Sequence, residues 1–165
     1  MKDLEVIPEK ITKLENGDEA LLLNQVYENS RVLLFMSPSA CKLLKNCIGL
    51  QMDGTFKTTP NGFRQVYILF SLDEKHNVSP IMYCLLPCKD TNMYKFVLEA
   101  LKTAVGEDLC PAFIMIDFEI SMVEAVNHSF PDAELSGCNF HFKQVDNDTC
   151  IISVQYTTHL AEKLK

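Results

Sequence analysis

Between residues 50 and 104 the hydrophobic period of the chain changes once, from two to about 3.6, and that change limits the fold more than any other feature. In residues 50–57 strict alternation puts Leu50, Met52, Gly54 and Phe56 on one face and Gln51, Asp53, Thr55 and Lys57 on the other, the pattern of a strand buried on one side. "TPNG" turns the chain, and "FRQVYILFSL" (63–72), aromatic and β-branched on both faces, predicts a central strand. "DEKHN" makes a hairpin connection to a third strand in "VSPIMYCLLP" (78–87). The period then becomes helical: Met93, Phe96, Val97, Ala100, Leu101 and Ala104 share one face, with Asp90 or Thr91 available as N-cap and Gly106 as the stop.

"AFIMID" (112–117) follows as a short buried strand ending in Asp117, and "FEISMVEAVNHSF" continues as a helix with Met122, Val123 and Val126 inward. "HFKQ" opens another helix after "PDAELSGCNF". Upstream, "RVLLFM" (31–36) is a strand, and Ser37 and Pro38 start a helix over residues 39–46, Ser as N-cap and Pro in the first turn. The order β-β-β-α-β-α-β, preceded by a small β-α unit, predicts an α/β fold: a mixed, helix-covered sheet of three antiparallel strands followed by βαβ crossovers. The first thirty residues, polar apart from Leu21, Leu22 and Leu23, are a peripheral lead-in; residues 31–144 form the domain and 145–165 an atypical tail.

With 165 residues and 47% apolar content the chain suffices for one packed core. No apolar run approaches the roughly 20 residues of a membrane span, and "MKDLEVIPEKITKLENGDEA" has charges where a signal peptide is greasy, so the expectation is a soluble, unsecreted protein. The seven cysteines are an odd number and sit mostly among apolar neighbours, as small hydrophobes do, which fits a reducing compartment. A net charge of −7 lacks the basic footprint of a nucleic-acid binder.

Two acids stand out. Asp53 precedes a glycine, which is ordinary turn chemistry, and Asp117 is able to cap the helix that follows it. Right-handed crossovers, however, return the strand ending at Asp117 beside the strand carrying Asp53. Two carboxylates so close repel unless a cation neutralises them, and an all-oxygen site suits Mg²⁺ or Mn²⁺, ions that assist phosphodiester chemistry. Other groups have plainer accounts. Glu119 is an acid placed to meet a helix dipole, Lys57 and Arg64 are solvated strand-edge charges, and Cys84 and Cys88 share a strand face but are too far apart to chelate one ion. His76 and His128 lie in a turn and near a helix end without a catalytic partner.

"DGTFKTTP", "PIMYCLLPCKDTNMYKFVLEALK", "FIMIDFEISMVEAV" and "FPDAELSGCNFHFKQ", in that order, resemble the transposase domain of Mutator-like elements, the MULE family, and "SRVLLFMSPSACKLLKNC" is similar to what precedes the first acid there. The resemblance covers residues 20–144. It implies a ribonuclease H-like fold, with Asp53 and Asp117 as the first two acids of a DDE triad that binds Mg²⁺ or Mn²⁺, cuts DNA at element ends and joins it elsewhere. It further implies DNA and other transposase copies as partners and the nucleus as the site of action. Cys138 and His141 match the family's Cys-x-x-His signature. One such pair supplies half of a tetrahedral zinc site, so packing or structural hydrogen bonding is preferred to zinc.

The family's third acid, a Glu, lies on a helix beyond that signature. Here "VDNDTCIISVQYTTHLAEKLK" breaks the helical pattern, and Asp146, Asp148 and Glu162 are the acids left in that tail. The expectation is a C-terminally truncated, incomplete copy lacking the third ligand. Its alternative function is that of an inactive remnant or domesticated binding module on the same fold. A small-molecule α/β enzyme is disfavoured, since the chain has no Gly-rich phosphate loop or nucleophile motif.

Overall fold

The computed structural model describes residues 7–55, 59–106, 108–117 and 119–137. Within them a single helical turn, α1 (Glu9–Thr12), precedes β1 (Leu21–Tyr27), β2 (Ser30–Phe35), α2 (Pro38–Leu44), β3 (Gly49–Thr55), β4 (Gln65–Leu72) and β5 (Val78–Leu86). The chain continues through α3 (Thr91–Val105), β6 (Phe113–Ile116), α4 (Ile120–Ser129) and β7 (Glu134–Gly137). The architecture is mixed α/β: one seven-stranded sheet in the order β1-β2-β5-β4-β3-β6-β7, with four helices.

Local chemistry sets the boundaries. Ser37 caps α2, its Oγ accepting from the Ala40 amide at 3.1 Å, with Pro38 behind it. Asp90 caps α3 by accepting from the Met93 amide at 2.8 Å, and the helix stops at Gly106, whose φ of 121° is open to glycine alone at little cost. Between β4 and β5, Asp73 Oδ1 accepts from the amides of Lys75 and Asn77, each at 2.9 Å, and holds His76 in a left-handed turn. The helix expected to continue directly from Asp117 begins instead at Ile120, and α2 starts earlier than the spacing suggested.

The topology has the predicted two-part logic. β3, β4 and β5 are successive antiparallel neighbours, while β6 pairs parallel to β3 and β7 parallel to β6. One strand was not anticipated: within the lead-in, β1 pairs antiparallel with β2 and forms the sheet edge. "LLLNQVY" lacks clean alternation because an edge strand has little to bury, and Val26 is 56% exposed.

Cross-strand partners share a face. Leu69 lies opposite Met52 and Met82, and Tyr67 opposite Gly54 and Cys84, so these residues line one side. There they join Ala40 and Leu44 of α2, Tyr94 and Leu98 of α3, and Met122 and Val126 of α4 in a single hydrophobic core. The buried stripe of α3 is turned slightly from the expected one: Tyr94 and Leu98 are fully buried, whereas Phe96, Ala100 and Ala104 pack at its margin. On the other side of the sheet, Asp53, Ile68 and Tyr83 face together, outside that core.

Candidate functional site

Asp53 lies in β3, one residue after fully buried Met52, and the pleat that turns Met52 into the core turns Asp53 to the opposite face. Asp117 follows the last residue of β6. The parallel register pairs Gly49 with Phe113, Leu50 with Ile114 and Gln51 with Met115, and Asp53 and Asp117 each lie two residues beyond its last pair. Neighbouring strands run ~4.8 Å apart, so the paired parts of β3 and β6 that lead to the two acids adjoin. Both are half-buried.

Asp117 is bonded to the N-cap residue of α4. Its Oδ1 accepts the Glu119 amide at 3.3 Å, so it satisfies one amide just ahead of α4, although the N-cap position itself belongs to Glu119. The Glu119 carboxylate makes no capping bond. Its Oε2 accepts from Lys89 Nζ at 3.2 Å and its Oε1 from the Tyr94 hydroxyl at 3.0 Å. Tyr94 Oη in turn accepts from Gln65 Nε2 at 2.8 Å. Reading Glu119 as an acid placed for the helix dipole did not foresee these partners. Sequence offered one clue: Gln65 alternates with Tyr67 and Leu69, which makes it a polar residue on a core face.

Negative charge is concentrated here. The Tyr67 hydroxyl is held well above the usual tyrosine range, first by burial, then by Asp117, Tyr94, Glu119 and Asp53. Burial likewise pushes up the Tyr94 hydroxyl, with Glu119 adding to the effect. Gly54 gives this region its shape, because a Cβ there would sit 3.0 Å from Gln65 Oε1 and 3.2 Å from the Tyr67 ring. The Asp53 and Asp117 side chains offer carboxylate oxygens, which suit a hard divalent cation. Among the described residues no group of three His, Cys, Asp or Glu side chains is placed to hold a metal.

The remaining candidates divide. Arg64 is exposed at the start of β4, His76 occupies the β4–β5 turn and His128 is exposed in the last turn of α4. Cys84 is a core residue whose thiol burial pushes well up, and Cys88, whose thiol burial and Asp90 raise to about 11, packs against the core. Lys57, Cys138 and His141 lie outside the described residues, as do Asp146, Asp148 and Glu162. No described helix is long and apolar enough to cross a membrane.

No curated protein matches the chain. The family model of the MULE transposase domain matches residues 49–145, from the first residue of β3 past Asp117 and the Cys138–His141 pair, which is more than half of the 165 residues. The chain belongs to the MULE transposase domain family.

Proposed function

We propose that this domain carries the two-aspartate part of a divalent-metal site for DNA cleavage and strand transfer, with Asp53 and Asp117 as ligands of Mg²⁺ or Mn²⁺. The observation that carries the reading is the parallel β3–β6 register, on the strand that bears Asp53 and the strand that Asp117 follows. Family membership supplies the class of chemistry. A ribonuclease H-like reading of the sheet is supported by three successive antiparallel strands joined in parallel by β6 and then β7.

The donor chemistry fits the ion. Two carboxylates leave most of a hard cation's shell to water and phosphate oxygens, the way Mg²⁺ is commonly held. When bound, such an ion supplies charge neutralisation at the phosphodiester and lowers the pKa of an attacking water or 3′-hydroxyl. The protein's own part is to hold two acids in fixed relation: β3 contributes Asp53 from a strand locked between two neighbours, and the Glu119 amide steadies Asp117. In this reading the partner is DNA, the compartment the nucleus, and further copies of the transposase assemble at element ends.

A second reading has its own support. The net charge of −7 opposes a polyanion. Under that reading the domain keeps the fold as a remnant or binding module without turnover.

A nicking assay on supercoiled plasmid decides between them. The enzyme reading predicts Mn²⁺-dependent nicking that EDTA stops and that Asp53→Asn lowers by at least about a hundredfold, the order lost when a main transition-state stabiliser is removed. Absence of nicking by the folded chain at any Mn²⁺ concentration supports the remnant.

A further inference from the structure

The Glu119 carboxylate lies on the helix-covered side, where Tyr94 and Gln65 are fully buried, while alternation turns Asp53 to the other face. Its two oxygens are engaged by different elements: Lys89, in the link between β5 and α3, and Tyr94, on α3. Gln65 extends the chain of bonds to β4, and Thr91 Oγ1 donates to Glu124 Oε2 at 2.7 Å, a second tie between α3 and α4. Glu119 also has a main-chain role at the site, since its own amide donates to Asp117 Oδ1. A residue anchored through its side chain and bonded to a candidate ligand through its backbone transmits its position to that ligand.

We propose that Glu119 is a positioning residue: clamped by Lys89 and Tyr94, it holds the Asp117 carboxylate beside Asp53 through its own amide. The inference rests on reading the two aspartates as metal ligands. A ligand role for Glu119 itself fits less well, because both of its oxygens already accept hydrogen bonds and no three-residue ligand group occurs among the described residues. The ion pair is sheltered, with side chains 29% exposed for Lys89 and 20% for Glu119, so solvent screens it less than a surface pair. Residues that orient ligands in this way commonly change metal affinity by about 10–100-fold when replaced.

Lys89→Met is the informative variant because two accounts of it differ in sign. If Lys89 acts only as a nearby positive charge, its removal makes the site more negative and tightens Mn²⁺ binding. If it clamps Glu119, its removal loosens Asp117 and weakens binding. The experiment uses the full chain, ¹⁵N-labelled, with amide exchange followed by NMR and Mn²⁺ affinity by the paramagnetic signal of the free ion.

Positioning predicts that Lys89→Met speeds exchange of the Glu119 amide about fivefold, the loss of one hydrogen bond's worth of protection, and weakens Mn²⁺ binding about tenfold or more. Tyr94→Phe moves both readouts the same way, Lys89→Arg restores them, and Lys13→Met, which breaks the exposed Lys13–Glu9 pair, changes neither. Unchanged exchange at Glu119, or tighter Mn²⁺ binding in Lys89→Met, overturns the proposal. Mn²⁺ binding that ignores Asp53→Asn overturns the metal-site reading instead, and amide exchange still decides whether Glu119 holds Asp117.

Discussion

Tyr67 and Tyr83 sit on neighbouring strands of one sheet, yet Tyr67 is fully buried and Tyr83 is 45% exposed. The difference is the difference between the two faces. One is covered by α2, α3 and α4 and holds the apolar core together with the Gln65–Tyr94–Glu119 bonds; the other carries Asp53. β3 serves both at once, with Leu50 and Met52 inward and Gln51 and Asp53 outward. The packed face thus fixes the register of β3, and a slip of one residue would put Asp53 into the core.

The comparison breaks most visibly in the core. Leu69→Ala, on the covered face, is expected to cost about 2–5 kcal/mol in urea denaturation. Ile68→Ala, its neighbour on the other face, is half-buried and should cost no more than about 1 kcal/mol. Equal losses would mean that the two faces contribute alike. A smaller effect is expected at Gly54, where an added Cβ meets Gln65 Oε1 at 3.0 Å and the Tyr67 ring at 3.2 Å. Both neighbours are fully buried and have little room to yield, so Gly54→Ala should cost about 1–3 kcal/mol by the same measurement.

The smallest effect is a dependence on alkaline pH. The Tyr67 and Tyr94 hydroxyls are both raised above the ordinary tyrosine value. The folded chain therefore keeps its protons where the unfolded chain begins to lose them. Their contribution is whole below pH ~10 and declines as pH rises beyond it. Thermal midpoints should fall more steeply above that pH in the unsubstituted chain than in Tyr67→Phe, and identical slopes would exclude the hydroxyl as a source.

Features that depend on near neighbours were legible in sequence. Ser37 and Asp90 announce helix starts by chemistry local to a turn, and the alternation of residues 50–55 places Asp53 on the polar side. The return of β6 beside β3 also followed, because crossover handedness leaves few places for a returning strand. What did not follow were contacts between elements distant in sequence. Gln65, Lys89 and Tyr94 meet Glu119 only once β4, the β5–α3 link and α3 have packed, and no local pattern in "DFEIS" encodes that. β1 was missed for the opposite reason: as an edge strand it is specified by backbone pairing with β2 more than by a buried side-chain pattern.

The central claim is that Asp53 and Asp117 form one cation site at the end of β3 and β6. Calorimetric titration of the full chain with Mn²⁺ tests it most directly, against Asp53→Asn and Asp117→Asn variants shown by circular dichroism to be folded. The account predicts one saturable binding event in the unsubstituted chain that either substitution abolishes. Binding of undiminished affinity in both variants would contradict it.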